Sequence, residues 1–429
     1  MARSDSTSAS KALSQTEGEK LSRAATILWR AERPLRVLRT VAWSPDVARR
    51  FFAARASRLP QISYKPIEPA ETLEGVATAR ALIRGSSPVH TWLSRVADTV
   101  ETTARLLASV GTREFFVHSE TLFGTPKRPF LDGRSSPLDL AERMNSVLSE
   151  FDHADLILGD PPAALTAEDL ARRLEKGVAR LFGDQAPAIE IVDDLSAKAV
   201  AGSNRIRLRR NAPFSDLDSI QLLQHEAYIH ICTSINGRSQ ARFPILGAGH
   251  PGTTRTQEGL AVFAELSQGS LDPLRMHRLA DRVFAIQMAI DGADFLDLYR
   301  YFLERAHNEF EAFENARRVV RGGLVTGGAP FTKDGVYLEG LLRVHNYLRV
   351  VVKSGDVRLV RGLFAGKLDL EDLSAILMLD DAGLLEKPRF LPPWIQDMRQ
   401  LVTYLSYSRF LNQVDLDVVE KRIEAMLKG

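Results

Sequence analysis

Residues 214–237 read FSDLDSIQLLQHEAYIHICTSING, and within them His225 and His230 stand five residues apart. Ser215, with Asp218 three residues on, makes a capping box, so a helix starts here. Asn236-Gly237 supplies its stop. The metal-binding helix signature H-E-x-x-H places two imidazoles four residues apart, on one face. In a regular α-helix a residue five positions on lies about 140° round the axis, against about 40° for four. Rings so far apart cannot meet one ion at about 2 Å. A π-bulge between Glu226 and His230, with i→i+5 bonding, would absorb the extra residue and return both rings to one face. The spacing therefore predicts a local helix distortion whose strain is offset by metal coordination.

A catalytic zinc site needs a third protein ligand and an open position for water. Glu258, in TQEGLA at the start of a following helix, is the candidate, with His250 in AGHPG as a rival. Two antiparallel helices can bring such points together. Glu226, beside the first ligand, would then be the general base that deprotonates the attacking water. A plainer reading stays open: two packed helix histidines without metal, and an acid in a first helical turn at Glu258.

The chain has 429 residues, 45% hydrophobic and 26% charged, an ordinary globular composition. A net charge of +2 gives no global pull toward nucleic acid. With Cys232 as the single cysteine, neither an intrachain disulfide nor a thiolate cluster can form, which suits a reducing compartment. The first residues, MARSDSTSASKALSQTEGEK, lack the apolar core of a signal peptide, and no run approaches the ~18 apolar residues of a membrane span. The expectation is a cytoplasmic protein with no nucleic-acid or membrane partner; oligomeric state is not legible.

Residues 1–18 read as a disordered tail, 19–150 as an N-terminal helical region and 151–429 as the catalytic region, the two compatible with one domain. Helical patterns cover 19–32, 45–57, 70–83, 88–111, 138–150, 255–267, 273–290, 294–306, 308–320, 332–352 and 393–427. Nine arginines between Arg23 and Arg58 read as solvated helix faces. Strand signals are confined to AIEIVDD (188–194) and NRIRLRR (204–210). In the second, Ile206 and Leu208 alternate with Arg205, Arg207 and Arg209, the pattern of a charged edge strand.

HEAYIH, followed by NGRSQ (236–240), TQEGLA and FTKDGVYLEGLLRV (331–344), resembles the QEGLA-motif proteins. Bacterial members of that family are labelled flavohemoglobin expression-modulating, and its eukaryotic relatives include microtubule-associated tyrosine carboxypeptidases. The resemblance implies a zinc metallopeptidase with His225, His230 and Glu258 as ligands of one zinc ion and Glu226 as catalytic acid/base. It also implies a mainly helical α+β fold of gluzincin type, with the metal held between two helices.

The expected activity is carboxypeptidase cleavage of unstructured peptide or protein C-terminal tails, aromatic end residues among them. Tyr337 is the candidate oxyanion donor. The substrate's terminal carboxylate calls for arginine, and Arg207, Arg318 and Arg321 are the candidates. The glycine-rich stretch RGGLVTGGAPF (321–331) reads as a loop that approaches the peptide or as a flexible connector. It lacks the G-K-[ST] ending of a phosphate loop. Two competing readings are a non-catalytic regulator that keeps the scaffold and a peptidase that cuts elsewhere in the chain.

Overall fold

The computed structural model describes residues 13–130, 133–151, 165–193, 195, 198–202, 204–305, 308–411 and 426. The architecture is mostly helical with one small three-stranded sheet, an α+β arrangement. The first helix, Gln15–Glu32, begins four residues before the expected boundary at Glu19, because Ser14 accepts from Glu17 N–H as its N-cap. Most of the expected tail (residues 1–12), and residues 412–425 and 427 of the expected last helix, lie outside the described residues.

One buried cluster runs from Leu21 on the first helix through Trp92, Phe214, Ile229 and Phe263 to Leu405, spanning both sides of residue 150. A second, aromatic cluster seats Trp43 and Phe51 against Phe295, Tyr299 and Phe313. Early and late segments thus share apolar cores. The nine early arginines are all exposed, as solvated helix faces should be.

The sheet has the order β1-β3-β2, with β1 Ala188–Val192 parallel to β3 Arg205–Arg209 and β2 Ala199–Ala201 antiparallel to it. The predicted alternation holds: Ile206 and Leu208 are fully buried while Arg205 and Arg207 face outward. The edge assignment does not. β3 is the central strand, and the edge beside it is β2, an Ala-Val-Ala triplet too short to carry a periodicity of its own. Charged side chains stay in water on the open face of a central strand as readily as at an edge, so alternation reported the face and not the neighbours.

Several helices escaped the sequence reading, among them Arg113–Phe123 and Ala167–Phe182. The second starts with a Thr166/Asp169 capping box and buries Leu170, Leu174 and Val178 at helical spacing. It packs against the helix that carries the paired histidines, with Tyr228 Oη donating to the Gly177 carbonyl at 3.1 Å and Leu223 lying against Gly177.

Candidate metal centre

The histidine helix runs without interruption from Asp216 to Arg238. Ser215 accepts from Asp218 N–H and Asp218 accepts from Ser215 N–H, so the predicted capping box is formed. From Leu223 to Ile231 the backbone is π-helical, nine residues and wider than a bulge between Glu226 and His230. The lengthened turn brings the two rings together, with centroids 4.8 Å apart and planes at 80°. Asn236-Gly237 is not a stop. Asn236 is fully buried, donating to the carbonyls of Phe364 at 2.8 Å and Phe390 at 2.7 Å, and Phe390 N–H donates back at 3.0 Å. At Gly237 a Cβ would sit 2.0 Å from the Leu246 carbonyl oxygen, so the glycine serves close backbone approach.

The second helix starts at Pro251, with His250 at the N-cap position but no capping bond from its side chain, and extends to Ser267. Its motif Gln257-Glu258-Gly259 divides three tasks. Gln257 Oε1 accepts from Thr233 Oγ1 at 2.8 Å, clasping the two helices. Glu258 Oε2 lies 3.5 Å from His225 Nε2 and 3.4 Å from His230 Nε2. Gly259 meets Gly340 of the helix Val336–Ser354 backbone to backbone, where a Cβ would come within 2.3 Å.

The three donor atoms lie within 4.8 Å of one another, and among the described residues no other such group is found. Tetrahedral ligands at about 2 Å from an ion are separated by roughly 3.3 Å, close to both carboxylate–imidazole distances. Two imidazole nitrogens and one carboxylate oxygen are the donor types zinc takes, so these residues fit the ion. His250 stands apart from the cluster, with its Nδ1 buried and without a partner. Burial pushes its pKa down to about 4. It is a buried cap-position histidine and no rival ligand.

A residue missed by the sequence reading completes the centre. Glu265, seven residues beyond Glu258 on the same helical face, is fully buried, and its Oε1 lies 2.5 Å from His225 Nδ1. A carboxylate only accepts, so Nδ1 carries a proton, and Nε2 is the nitrogen left to ligate a metal, which would displace any proton held there. Glu265 is held in turn by Gln221 Nε2 at 2.8 Å and by Arg275 through Nε at 3.1 Å and Nη2 at 3.2 Å. Burial alone would raise its pKa, but Arg275 and His225 overcome that and keep it ionised well below the usual range. Burial likewise works against ionised Glu258, yet Lys333, 3.2 Å away, and the two histidines hold its pKa well down. For His225, burial is outweighed by Glu258 and Glu265, which raise its pKa well above the ordinary value. The signal for Glu265 was the i+7 repeat of an acid within a buried apolar helix, which has no reason to hold an unpaired carboxylate.

Glu226 sits beside this group and accepts from Ala201 N–H of the edge strand at 3.1 Å. Tyr337 is buried nearby, with the Lys333 ammonium 5.3 Å and the Arg282 guanidinium 4.8 Å from its ring centroid. Arg318 lies within electrostatic reach of Tyr337 and donates through Nε to Asp334 at 2.6 Å. Arg321 is 9% exposed and lies over the Phe331 ring. Arg207 projects from the exposed face of β3. The glycine-rich loop is pinned: Gly322 N–H donates to Tyr64 Oη at 2.7 Å, Gly111 N–H to the Gly322 carbonyl at 2.8 Å and Gly328 N–H to the Ala289 carbonyl at 2.8 Å. It is a packed turn and no flexible connector.

The family model described as "Microtubule-associated tyrosine carboxypeptidase" matches residues 49–413, most of the chain. No curated protein matches.

Proposed function

The chain belongs to that microtubule-associated tyrosine carboxypeptidase family, and from this premise we propose that it is a zinc-dependent carboxypeptidase. Its substrates are unstructured peptide or protein tails, from which it removes C-terminal residues, aromatic ones among them. The observation that carries the reading is the convergence of His225 Nε2, His230 Nε2 and Glu258 Oε2 through a π-helical turn.

These three residues would hold one zinc ion, which when bound would supply Lewis acidity to the scissile carbonyl and the attacking water. The chain's own groups do the rest. Glu226, steadied by the Ala201 N–H, takes the proton from the attacking water and returns it to the departing amine. Glu265 keeps His225 in the ligating tautomer and orientation, and Arg275 keeps Glu265 ionised. The Tyr337 hydroxyl, in a setting crowded with cations, donates to the oxygen on which negative charge develops. The terminal carboxylate is met by the same cation group, with Arg318, 26% exposed, the more accessible of the two expected arginines beside Tyr337. An extended tail finds its backbone partner in the edge strand β2, not in β3.

The test combines metal analysis with mass spectrometry of peptide-library products. The expected result is one zinc per chain in both wild type and Glu226→Gln, with loss of C-terminal residues in wild type alone. Zinc binding with no cleavage of any peptide would leave the non-catalytic scaffold reading, and internal cuts would make the chain an endopeptidase.

A further inference from the structure

Five cations lie within electrostatic reach of Tyr337: Arg275, Arg282, Arg318, Arg321 and Lys333. Three carboxylates answer three of them, Glu265 on Arg275, Asp334 on Arg318 and Glu258 on Lys333. Arg282 and Arg321 are left over, five cations against three acids. Arg321 is roofed by its loop and stacks on Phe331. Arg282 is different. Its Nη1 is buried without a hydrogen-bond partner, and it makes no ion pair among the described residues. It also forms part of the wall of a cavity of about 180 Å³. Burial and the neighbouring Arg318 push its pKa down to about 10, against the longer-range pull of Asp334, whose direct ion pair is with Arg318.

That cavity opens between the helices Pro137–Ser149, Pro273–Ile290, Phe295–Leu303 and Glu309–Val320. Its volume is room for about six waters, enough for a carboxylate on a short stem. Asn145 and Asn315 offer neutral amide donors, and Leu274 and Phe302 give apolar wall. Of the two acids in the wall, Asp281 is already engaged, by Tyr301 Oη at 2.7 Å and Arg305 Nε at 3.5 Å. Counted by formal charge alone, Arg278, Arg282 and Arg305 against Asp281 and Glu311 leave the wall with one positive charge, the histidine taken as neutral. A monoanion with a short apolar stem matches both the charge and the wall.

We propose that this cavity is a carboxylate-binding subsite in which Arg278 and Arg282 grip one carboxylate, and that Arg282, stacked on Tyr337, ties its occupancy to the metal centre. The carboxylate comes from an acidic side chain of the substrate tail or from a free small carboxylate. Only the first source rests on the peptidase reading.

The experiment measures binding to the full-length Glu226→Gln chain, so that turnover plays no part. The probes are N-acetyl-glutamate α-amide, its glutamine counterpart, and disordered peptides that differ only by Glu or Gln at one scanned position. Calorimetry and the thermal midpoint are the readouts. A Glu peptide binding about tenfold tighter than its Gln twin in one register, with the gain lost in Arg278→Gln and Arg282→Gln, establishes the subsite with the tail as source. A thermal shift with the glutamate amide alone, lost in the same variants, establishes it with a free ligand. Should Arg282→Gln fail to fold, Arg278→Gln at the cavity wall carries the comparison. Equal affinity of every Glu and Gln pair, or a gain that survives both arginine changes, overturns the proposal even if wild type cleaves peptides. Glu-dependent binding in a zinc-loaded wild type that cleaves nothing keeps the subsite and removes the peptidase.

Discussion

His225 and His250 are buried almost equally, 8% and 6% exposed, and their environments are opposite. His225 is wedged between two carboxylates, one on each ring nitrogen. His250 has an orphaned Nδ1, and its nearest charges are Asp369 and Lys367 at Coulombic range. Burial acts alike on both and disfavours the imidazolium. What separates a candidate ligand from a packed cap residue is the supply of acids around it. Those acids come from one helix, at positions 258 and 265, two turns apart.

The sharpest way to break this contrast is at the reacting group. Glu226→Gln is expected to lower peptide hydrolysis by about a thousandfold with zinc content unchanged, as measured by kinetics and metal analysis. His250→Asn should leave both within twofold; loss of zinc in that variant would undo the comparison. Next comes Tyr337→Phe, expected to lower kcat by roughly a hundredfold with little change in KM. Glu265→Gln should weaken zinc affinity by about 10- to 100-fold in a competitive chelator titration, because the second carboxylate on His225 orients the ring and fixes its tautomer.

The smallest effects are on stability, and they run in opposite directions with pH. The pKa of His250 falls from 6.5 to about 4 on folding. The unfolded chain therefore binds the proton first, and stability is lost as pH drops from 6.5 toward 4. His250→Asn should flatten that part of the thermal-midpoint profile. Glu32 is the acidic mirror image, buried on the first helix and raised to about 7 by burial against only distant help from Arg36 and Lys367. Its protonated form is the one the fold prefers, so its contribution is full below about pH 4.5 and is lost as pH rises through 7. Glu32→Gln should raise stability at pH 8 by about 3 kcal/mol at most, read as a higher thermal midpoint, and leave the midpoint unchanged at pH 5.

The same contrast explains how far reading the residues could go. A helix distortion was legible because five-residue spacing is incompatible with one ion in an α-helix, and the π-helical span Leu223–Ile231 answers it. Its breadth was not legible, since backbone bonding in a helix interior is set by packing on both flanks. The strand alternation at Ile206 and Leu208 was visible, but its place in the sheet depended on a three-residue neighbour. Asn236 and Gly237 look like punctuation and act as packing, because Phe364 and Phe390, which meet Asn236, lie far off in the chain, and Leu246 folds back on Gly237 from the following turn. Arg282 carries no motif at all; its lack of a direct ion pair appears only once Glu265, Asp334 and Glu258 have been assigned to other cations.

The residues by themselves determined the helical class, the Ser215/Asp218 capping box and the three candidate ligands, because periodicity, capping chemistry and donor type act over a few positions. Only the tertiary structure decided that Glu258 closes on both imidazoles, that Glu265 backs His225 and that β3 is central. Those depend on backbones touching at Gly259 and Gly340 and on charges paired across tens of residues. No local pattern encodes which distant carboxylate a buried cation will find.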